Sequence, residues 1–270
     1  MNEKATALKQ EENKPEQFGW FYRMFLTLYD VYQFIVRFFK EGFWPPYEGK
    51  ELIKQCYNIG LKTLPLISVT GFITGVVFTK QSRPSLAEFG ATSWLPSLVA
   101  IALLRTLAPL LTALISAGKV GSSIGAELGS MRVTEQIDAM EVSATNPFKF
   151  LVTTRVLATT IALPILTFYT ALIGLMGALL NVTMSESTSY KLFFETALEP
   201  ITFLDVTAST VKAIIFGFTI GMVGCYQGYN SLKGTEGVGR AANSAVVIGM
   251  FLVFIEEVIS VQFFGLFRAV

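Results

Sequence analysis

Residues 105–141 read RTLAPLLTALISAGKVGSSIGAELGSMRVTEQIDAME, and this stretch passes from an apolar run into a charged one. Its first part is apolar apart from Arg105 and continues an apolar run long enough for a membrane helix, which needs about 20 residues. Its last part carries glutamate, aspartate and arginine side chains, which favour water. We therefore predict that the chain is an integral membrane protein and that this stretch emerges from the membrane into the cytoplasm.

The composition agrees with a membrane protein. Hydrophobic residues make up 52% of the 270 residues, charged residues 15%, and the mean hydropathy is +0.53. A net charge of +1 gives no basic surface for nucleic acid. The chain has no histidine, and its two cysteines, Cys56 and Cys225, lie far apart in sequence. We therefore predict no catalytic residues and no metal site.

The apolar runs predict an all-α protein with five transmembrane helices. They cover approximately residues 61–79, 94–117, 150–182, 203–226 and 241–267, and we predict a turn at 80–93 and loops at 183–200 and 227–240. We divide the chain into a disordered polar tail (1–17), an amphipathic helix at the membrane interface (18–48) and a transmembrane domain (49–270). The tail has no short apolar stretch followed by small residues, so it does not have the pattern of a secretory signal.

The helix before the first span is rich in aromatic residues and has one polar stripe. The stripe recurs every three or four residues, at Arg23, Thr27, Asp30, Gln33, Arg37 and Lys40. This pattern favours a helix lying in the membrane interface, where aromatic side chains reach the headgroups. The alternative is a cytosolic helix packed on the other helices. Trp44-Pro45-Pro46 ends the helix.

Lysine and arginine residues predict the orientation. Ten of them lie in the tail, at Lys50 and Lys54, around residues 118–149 and in the loop 227–240, against three in the opposite loops: Lys80, Arg83 and Lys191. The richer side is cytoplasmic. We therefore expect a cytoplasmic N-terminus, a periplasmic C-terminus and a location in the cell inner membrane.

The quoted stretch contains two further patterns. Gly121, Gly125 and Gly129 recur every four residues, which permits close helix approach. Thr134 is a candidate N-cap for a short helix that starts at Glu135 and closes before Asn146-Pro147. Its exposed side carries acidic residues, namely Glu135, Asp138 and Glu141. This helix is either a docking element for a soluble partner or an ordinary solvated loop helix.

The same stretch resembles the MlaE (YrbE) permease family. Its pattern approximates R-E-L-G-P-x-L-T-A-L, A-G-R-x-G-[SA] and A-E-[IL]-G-x-M-[KR]-x-[ST]-E-Q-[IL]-x-A-[ML]-E. Further matches are the F-x-x-G pattern at 72–75, Asn146-Pro147, Gly228-Tyr229 and the run Gly237-Val238-Gly239-Arg240-Ala241. The resemblance covers residues 50–267 in order, with several separate motifs that agree in spacing.

The resemblance implies the permease subunit of an ABC transporter that moves phospholipid or related lipid between the inner membrane and the envelope. It implies a homodimer with two ABC ATPase subunits below, often with a small STAS-domain protein, and an MCE-domain lipid-binding protein on the outer side. ATP would be bound by the partner, so the chain itself needs no cofactor. By this resemblance the coupling helix that fits the ATPase comprises 127–141, with the polar residues Glu127, Arg132, Glu135, Gln136, Asp138 and Glu141.

We single out four charged residues inside the predicted spans, where charges are costly and therefore functional candidates. They are Arg105, Lys212, Glu256 and Glu257. We expect Lys212 or Arg105 to pair with Glu256, across the bundle or around a lipid cavity. Either the cations meet a lipid phosphate or the pair is structural and fixes helix register. Adjacent glutamates point about 100° apart on a helix, so both cannot face one partner.

The chain departs from the family pattern beside Arg105. Thr106 stands where the family commonly has glutamate, so a mechanism that requires an arginine–glutamate pair within that span lacks its glutamate here. In the last span, Glu256 stands where the family often has aspartate. Gly71 and Gly75, one further pair at four-residue spacing, predict close packing of the first span.

Three other classes of protein compete with the permease interpretation. Glu256 and Glu257 would serve an ion-coupled secondary transporter, although no inverted halves are visible. A membrane-embedded enzyme lacks a nucleophile–base constellation. A scaffold subunit would only anchor a complex. Gly118-Lys119 is followed by Val120 without the upstream glycine of a phosphate-binding loop, so the chain does not hydrolyse ATP alone.

Overall fold

The computed structural model describes residues 20–42, 48–186, 189–232 and 234–268, and no strand occurs within them. The helices are α1 Trp20–Gly42, α2 Gly49–Leu61, α3 Leu64–Glu88, α4 Leu95–Ala102, α5 Ala108–Ser116, α6 Ser122–Val133, α7 Gln136–Val142, α8 Thr154–Glu186, α9 Tyr190–Leu198, α10 Phe203–Tyr229 and α11 Thr235–Arg268. Wider, π-helical turns occupy Leu103–Leu107, Ala117–Gly121 and Phe148–Thr153, and a 3₁₀ turn occupies Thr92–Trp94.

Five stretches in the described residues are long and apolar enough to cross a membrane, which confirms the predicted number and the all-α class. They are span one Gly49–Glu88, span two Thr92–Val133, span three Phe148–Met184, span four Phe203–Tyr229 and span five Thr235–Leu266. The chain is therefore a multi-pass membrane protein.

The predicted loops are too long in three places. The turn expected at 80–93 is wrong up to Glu88, because α3 continues through Pro84. The loop expected at 183–200 contains α9, and the loop expected at 227–240 shrinks to the five residues between α10 and α11. Polarity indicates where a chain leaves the apolar layer, but a helix can continue beyond that layer into water.

The chain separates into two compact units, residues 1–44 and 45–270. In the first unit, α1 forms a helix where the polar stripe predicted one, and the structure ends it at Gly42. Its position at the membrane interface stays a prediction. The predicted tail (1–17) and the Trp44-Pro45-Pro46 stop lie outside the described residues.

In the second unit, span three is the central element. Its helix α8 packs along α3 and along α10, and α2 also contacts it. Span five packs on α10 and on α6, the end of span two. Half of the apolar part of spans three and four is buried, whereas only 22% of span one and 28% of span five is buried. Spans one and five therefore present most of their apolar surface outward.

Small residues set the closest contacts of span three. A Cβ added at Gly75 would lie 1.9 Å from the carbonyl oxygen of Gly174, so these helices touch backbone to backbone. Nearer the start of α8, a Cβ at Gly217 would lie 2.7 Å from the carbonyl oxygen of Thr159. Close packing of this kind holds membrane helices together, because the hydrophobic effect offers no net attraction between helices inside lipid.

Candidate functional site

Arg105 and Asp205 form an ion pair between spans two and four. The Nε atom of Arg105 lies 2.8 Å from Oδ1 of Asp205, and its Nη2 atom donates to Oδ2 at 2.9 Å. Oδ2 also accepts from the backbone N–H and the hydroxyl of Thr202, which completes a capping box at the start of α10. Asp205 therefore caps one span and holds another through its fully buried carboxylate.

A second ion pair joins spans four and five. Nζ of Lys212 lies 2.8 Å from Oε1 of Glu257, and both side chains are more than nine-tenths buried. The same ammonium group also donates to the backbone carbonyl of Arg105, at 3.2 Å. Spans two, four and five thus meet at one cluster of charges.

The expected pairing of Lys212 or Arg105 with Glu256 is wrong. The hydroxyl of Thr219 donates to Oε1 of Glu256, and the carboxylate of Glu257 takes Lys212 instead. The reason is helix register, because adjacent residues point about 100° apart and only one of the two glutamates can face Lys212. Asp205, the partner of Arg105, was absent from the predicted site, although the pattern Thr202-x-x-Asp205 is a readable capping signal.

The geometry favours the structural interpretation of these charges over free cations that meet a lipid phosphate. Both cations have a carboxylate partner within 3 Å. The cavity beside them holds about 90 Å³ and is lined by Arg105, Thr106 and Lys212 together with apolar residues of spans four and five. That is space for a few water molecules rather than for a lipid headgroup.

Glu127 and Arg155 form a third pair, nearer the other end of the bundle. Nη2 of Arg155 donates to Oε1 of Glu127 at 2.8 Å, and Nη1 donates to the carbonyl of Leu151 at 3.0 Å. Arg155 is only 2% exposed, whereas Glu127 is half exposed. Glu127 was predicted to belong with the coupling residues, but the structure places it on α6, facing span three. Arg155 was overlooked, although it lies inside the predicted third span.

The short helix after span two begins one residue later than expected. Thr134 is not its N-cap, because its hydroxyl donates back to the carbonyl of Ser130. Glu135 instead adopts a left-handed backbone conformation, with φ of 58°, and α7 starts at Gln136. The chain therefore turns sharply between α6 and α7.

The surface of α7 is acidic at its exposed positions. Glu135, Gln136, Asp138 and Glu141 are exposed, while Ile137 is fully buried and holds the helix against the bundle. Arg132 on α6 pairs with Asp138 at 2.5 Å and ties the two helices together. Val142 is 90% exposed at the end of the helix. An exposed valine beside carboxylates gives a surface of mixed character that a soluble protein can contact.

The glycines predicted to allow close packing lie at helix contacts. Gly71 and Gly75 face Thr170 and Gly174 of α8. A Cβ at Gly125 would lie 3.1 Å from the carbonyl of Ala241, and one at Gly129 would lie 3.4 Å from the Ser231 side chain. The surroundings of Gly121 are looser, because a Cβ there would lie 3.8 Å from the carbonyl oxygen of Ala245.

Among the described residues, no three histidine, cysteine, aspartate or glutamate side chains cluster as metal ligands would.

Comparison with known proteins gives consistent matches along the chain. The sequence pattern of the family described as Permease MlaE matches residues 52–263. A probable ABC transporter permease protein of Rickettsia prowazekii is 40% identical over 82% of this chain and 85% of its own length. A probable ABC transporter permease protein of Synechocystis is 34% identical over 77% of this chain and 79% of its own. The chloroplastic protein TRIGALACTOSYLDIACYLGLYCEROL 1 of Arabidopsis thaliana is 30% identical over 80% of this chain and 61% of its own.

Proposed function

Because this chain belongs to the MlaE permease family, we propose that it is the permease subunit of an ABC transporter that moves phospholipid between the inner membrane and the envelope. A separate subunit would bind and hydrolyse ATP. The name ABC transporter permease, given to relatives at 34% and 40% identity, supports the transporter class and implies an ATPase partner.

Two observations support a lipid as the cargo. The name of the Arabidopsis relative refers to a glycerolipid, trigalactosyldiacylglycerol. Spans one and five also present large apolar side chains outward, among them Phe72, Ile73, Phe251 and Phe254. A surface of this kind suits acyl chains better than a polar solute, which would need fixed hydrogen-bonding groups.

The proposed assembly is a homodimer. Spans one, two and five of two copies would enclose a lipid-sized cavity, with an ATPase below each copy and an MCE-domain protein on the periplasmic side. A STAS-domain protein would accompany the ATPase. The low burial of spans one and five supports their use as surfaces that a second copy or a lipid covers.

The proposal rests on the position and the exposed surface of α7. It lies between spans two and three, exposes acidic side chains, and is fixed to span two through the Arg132–Asp138 pair and the buried Ile137. A partner that grips this helix can displace span two as a unit. Closure of the ATPases on ATP would then narrow the lipid cavity and pass the lipid to or from the MCE protein.

Charge reversal on α7 tests this coupling. Glu141→Lys changes an exposed residue, and Asp138→Lys also removes the Arg132 pair. We expect either variant to insert normally but to lose about tenfold in ATPase binding, or roughly 1.4 kcal/mol. Co-purification of the ATPase with the tagged chain and lipid-stimulated ATP hydrolysis in proteoliposomes measure this loss.

The matched control is Glu195→Lys on α9, another exposed glutamate on a short helix. It should retain the ATPase and its stimulation. Normal binding and turnover in both α7 variants would contradict the coupling role. Lipid movement that follows a proton gradient and ignores ATP would favour an ion-coupled transporter, and an assembled complex that moves no lipid would favour a scaffold.

A further inference from the structure

A polar cavity lies away from the charge cluster, between α2 and the lower part of span two. It has a volume of about 300 Å³. One wall is the end of α2 and the turn into α3, and the other is the π-helical turn Ala117–Gly121 with the first turns of α6. The side chains able to donate hydrogen bonds into it are Gln55, Asn58, Lys62, Thr63, Lys119 and Ser123.

Thr63 is the buried member of this wall. It is 0% exposed, and its hydroxyl has no hydrogen-bond partner within the part of the chain that the structure describes. A buried hydroxyl without a partner is costly, so such a group in a cavity wall points to a missing acceptor.

Lys119 brings a cation to the same cavity. Its ammonium group donates to the backbone carbonyl of Lys62, which links span two to the α2–α3 turn. An ammonium group has three N–H donors, so two are left for a ligand. Lys119 also lies within a π-helical turn, a local irregularity that is frequent at functional sites.

The charge balance of the cavity favours an anion. Lys62 and Lys119 contribute two positive charges. Glu127 contributes the single carboxylate of the lining, and its charge is offset by the ion pair with Arg155. Donor groups and cations therefore dominate a concave site at the end of a membrane bundle.

We propose that this cavity binds the phosphate group of an anionic phospholipid of the cytoplasmic leaflet. The site lies where span one leaves its most apolar part, at the level expected for headgroups on the lysine-rich side of the protein. The lysines would meet the phosphate charge, and the hydroxyl of Thr63 would donate to a phosphate oxygen. The proposal goes beyond the transport function, since it needs a bilayer but no lipid movement.

The first test measures lipid retention by the purified 270-residue chain. The protein is reconstituted in nanodiscs of phosphatidylcholine with a minor share of phosphatidylglycerol, extracted in mild detergent and analysed by native mass spectrometry. Lys62→Gln and Lys119→Gln should each retain about tenfold less phosphatidylglycerol, equivalent to ~1.4 kcal/mol. Lys119→Arg keeps the charge and should retain it.

Lys54→Gln is the matched control. Lys54 lies on α2, carries the same charge and is exposed, but it does not line the cavity. It should retain phosphatidylglycerol as the unmodified chain does. Equal retention by all variants, or equal losses at Lys54 and Lys119, would overturn the proposal.

Thr63→Val gives an independent signature. Valine has the same shape without the unpaired hydroxyl, so we expect higher thermal stability in the absence of phosphatidylglycerol together with lower retention of it. Lower stability with unchanged retention would mean that the hydroxyl serves the fold alone, and would overturn its role in binding.

A final experiment distinguishes whether the cavity binds the phosphate group of a lipid or free phosphate. Inorganic phosphate is titrated into the detergent-purified chain while thermal stability is recorded. A stabilisation that is lost in Lys119→Gln, combined with phosphatidylglycerol retention that is the same in every variant, would assign the cavity to free phosphate and overturn the lipid proposal. No shift with phosphate, together with Lys119-dependent retention, supports it.

Discussion

At the scale of single residues, the buried charges show how far a sequence pattern reaches. Arg105, Lys212, Glu256 and Glu257 stand out because a charge in an apolar run is rare. Their partners depend on helix register and on which spans are neighbours, and neither is visible in one sequence. Asp205, at a span end, supplies the carboxylate that the Thr106 position lacks.

The Lys212–Glu257 pair allows a direct test of a structural role. Lys212→Met leaves a buried carboxylate without its cation, so we expect a loss of about 3 to 5 kcal/mol. The double variant Lys212→Met/Glu257→Leu removes both charges and should recover most of that loss. Unfolding of the purified chain in detergent measures both. A double variant as unstable as the single one would contradict a purely structural pair.

At the scale of helices, the sequence predicts well whether a membrane-spanning helix is present. It predicts poorly at which residue a helix begins and ends. All five spans are confirmed, because each is a long apolar run. The three π-helical turns leave no mark in the hydrophobic pattern, and α9 is a mostly apolar segment, too short to cross a membrane, that packs Phe193 and Ala197 against span two. Tertiary contacts, rather than local composition, decide these features.

The contact between spans one and three yields a prediction at this scale. Gly75→Ala places a methyl group 1.9 Å from the carbonyl oxygen of Gly174, so the helices must separate. Overpacking of this kind costs about 1 to 3 kcal/mol, and more where backbone must move. Thermal denaturation in detergent measures the loss.

Gly239→Ala is the matched control within a helix, because a Cβ there meets nothing within 4 Å. Alanine has the higher helix propensity, so stability should stay equal or rise by up to ~1 kcal/mol. Equal losses of stability in Gly75→Ala and Gly239→Ala would mean that the contact between spans one and three is less close than in the structure.

At the scale of the whole molecule, five membrane crossings would put Gly49 and Leu266 on opposite sides of a membrane. The lysine and arginine distribution predicts a cytoplasmic start and a periplasmic end. Alkaline phosphatase, which is active only outside the cytoplasm, should therefore be active when fused after Arg268 and inactive when fused after Val142. The reverse pattern of activity would mean that the chain has the opposite orientation in the membrane and that the phosphate cavity lies at the outer leaflet.

Span two runs without a break in helical backbone from Thr92 to Val133; Arg105 lies in the half nearer Thr92, and α7 is tied to the other end through Arg132. At 1.5 Å per residue, Arg105 lies about 40 Å from Val133 along the axis. The helix is thus a lever arm: a tilt of about 5° applied at α7 moves its far end by about 3 to 4 Å. Under the proposed coupling, a displacement of α7 would therefore reach Arg105 and move it against its contacts with spans four and five.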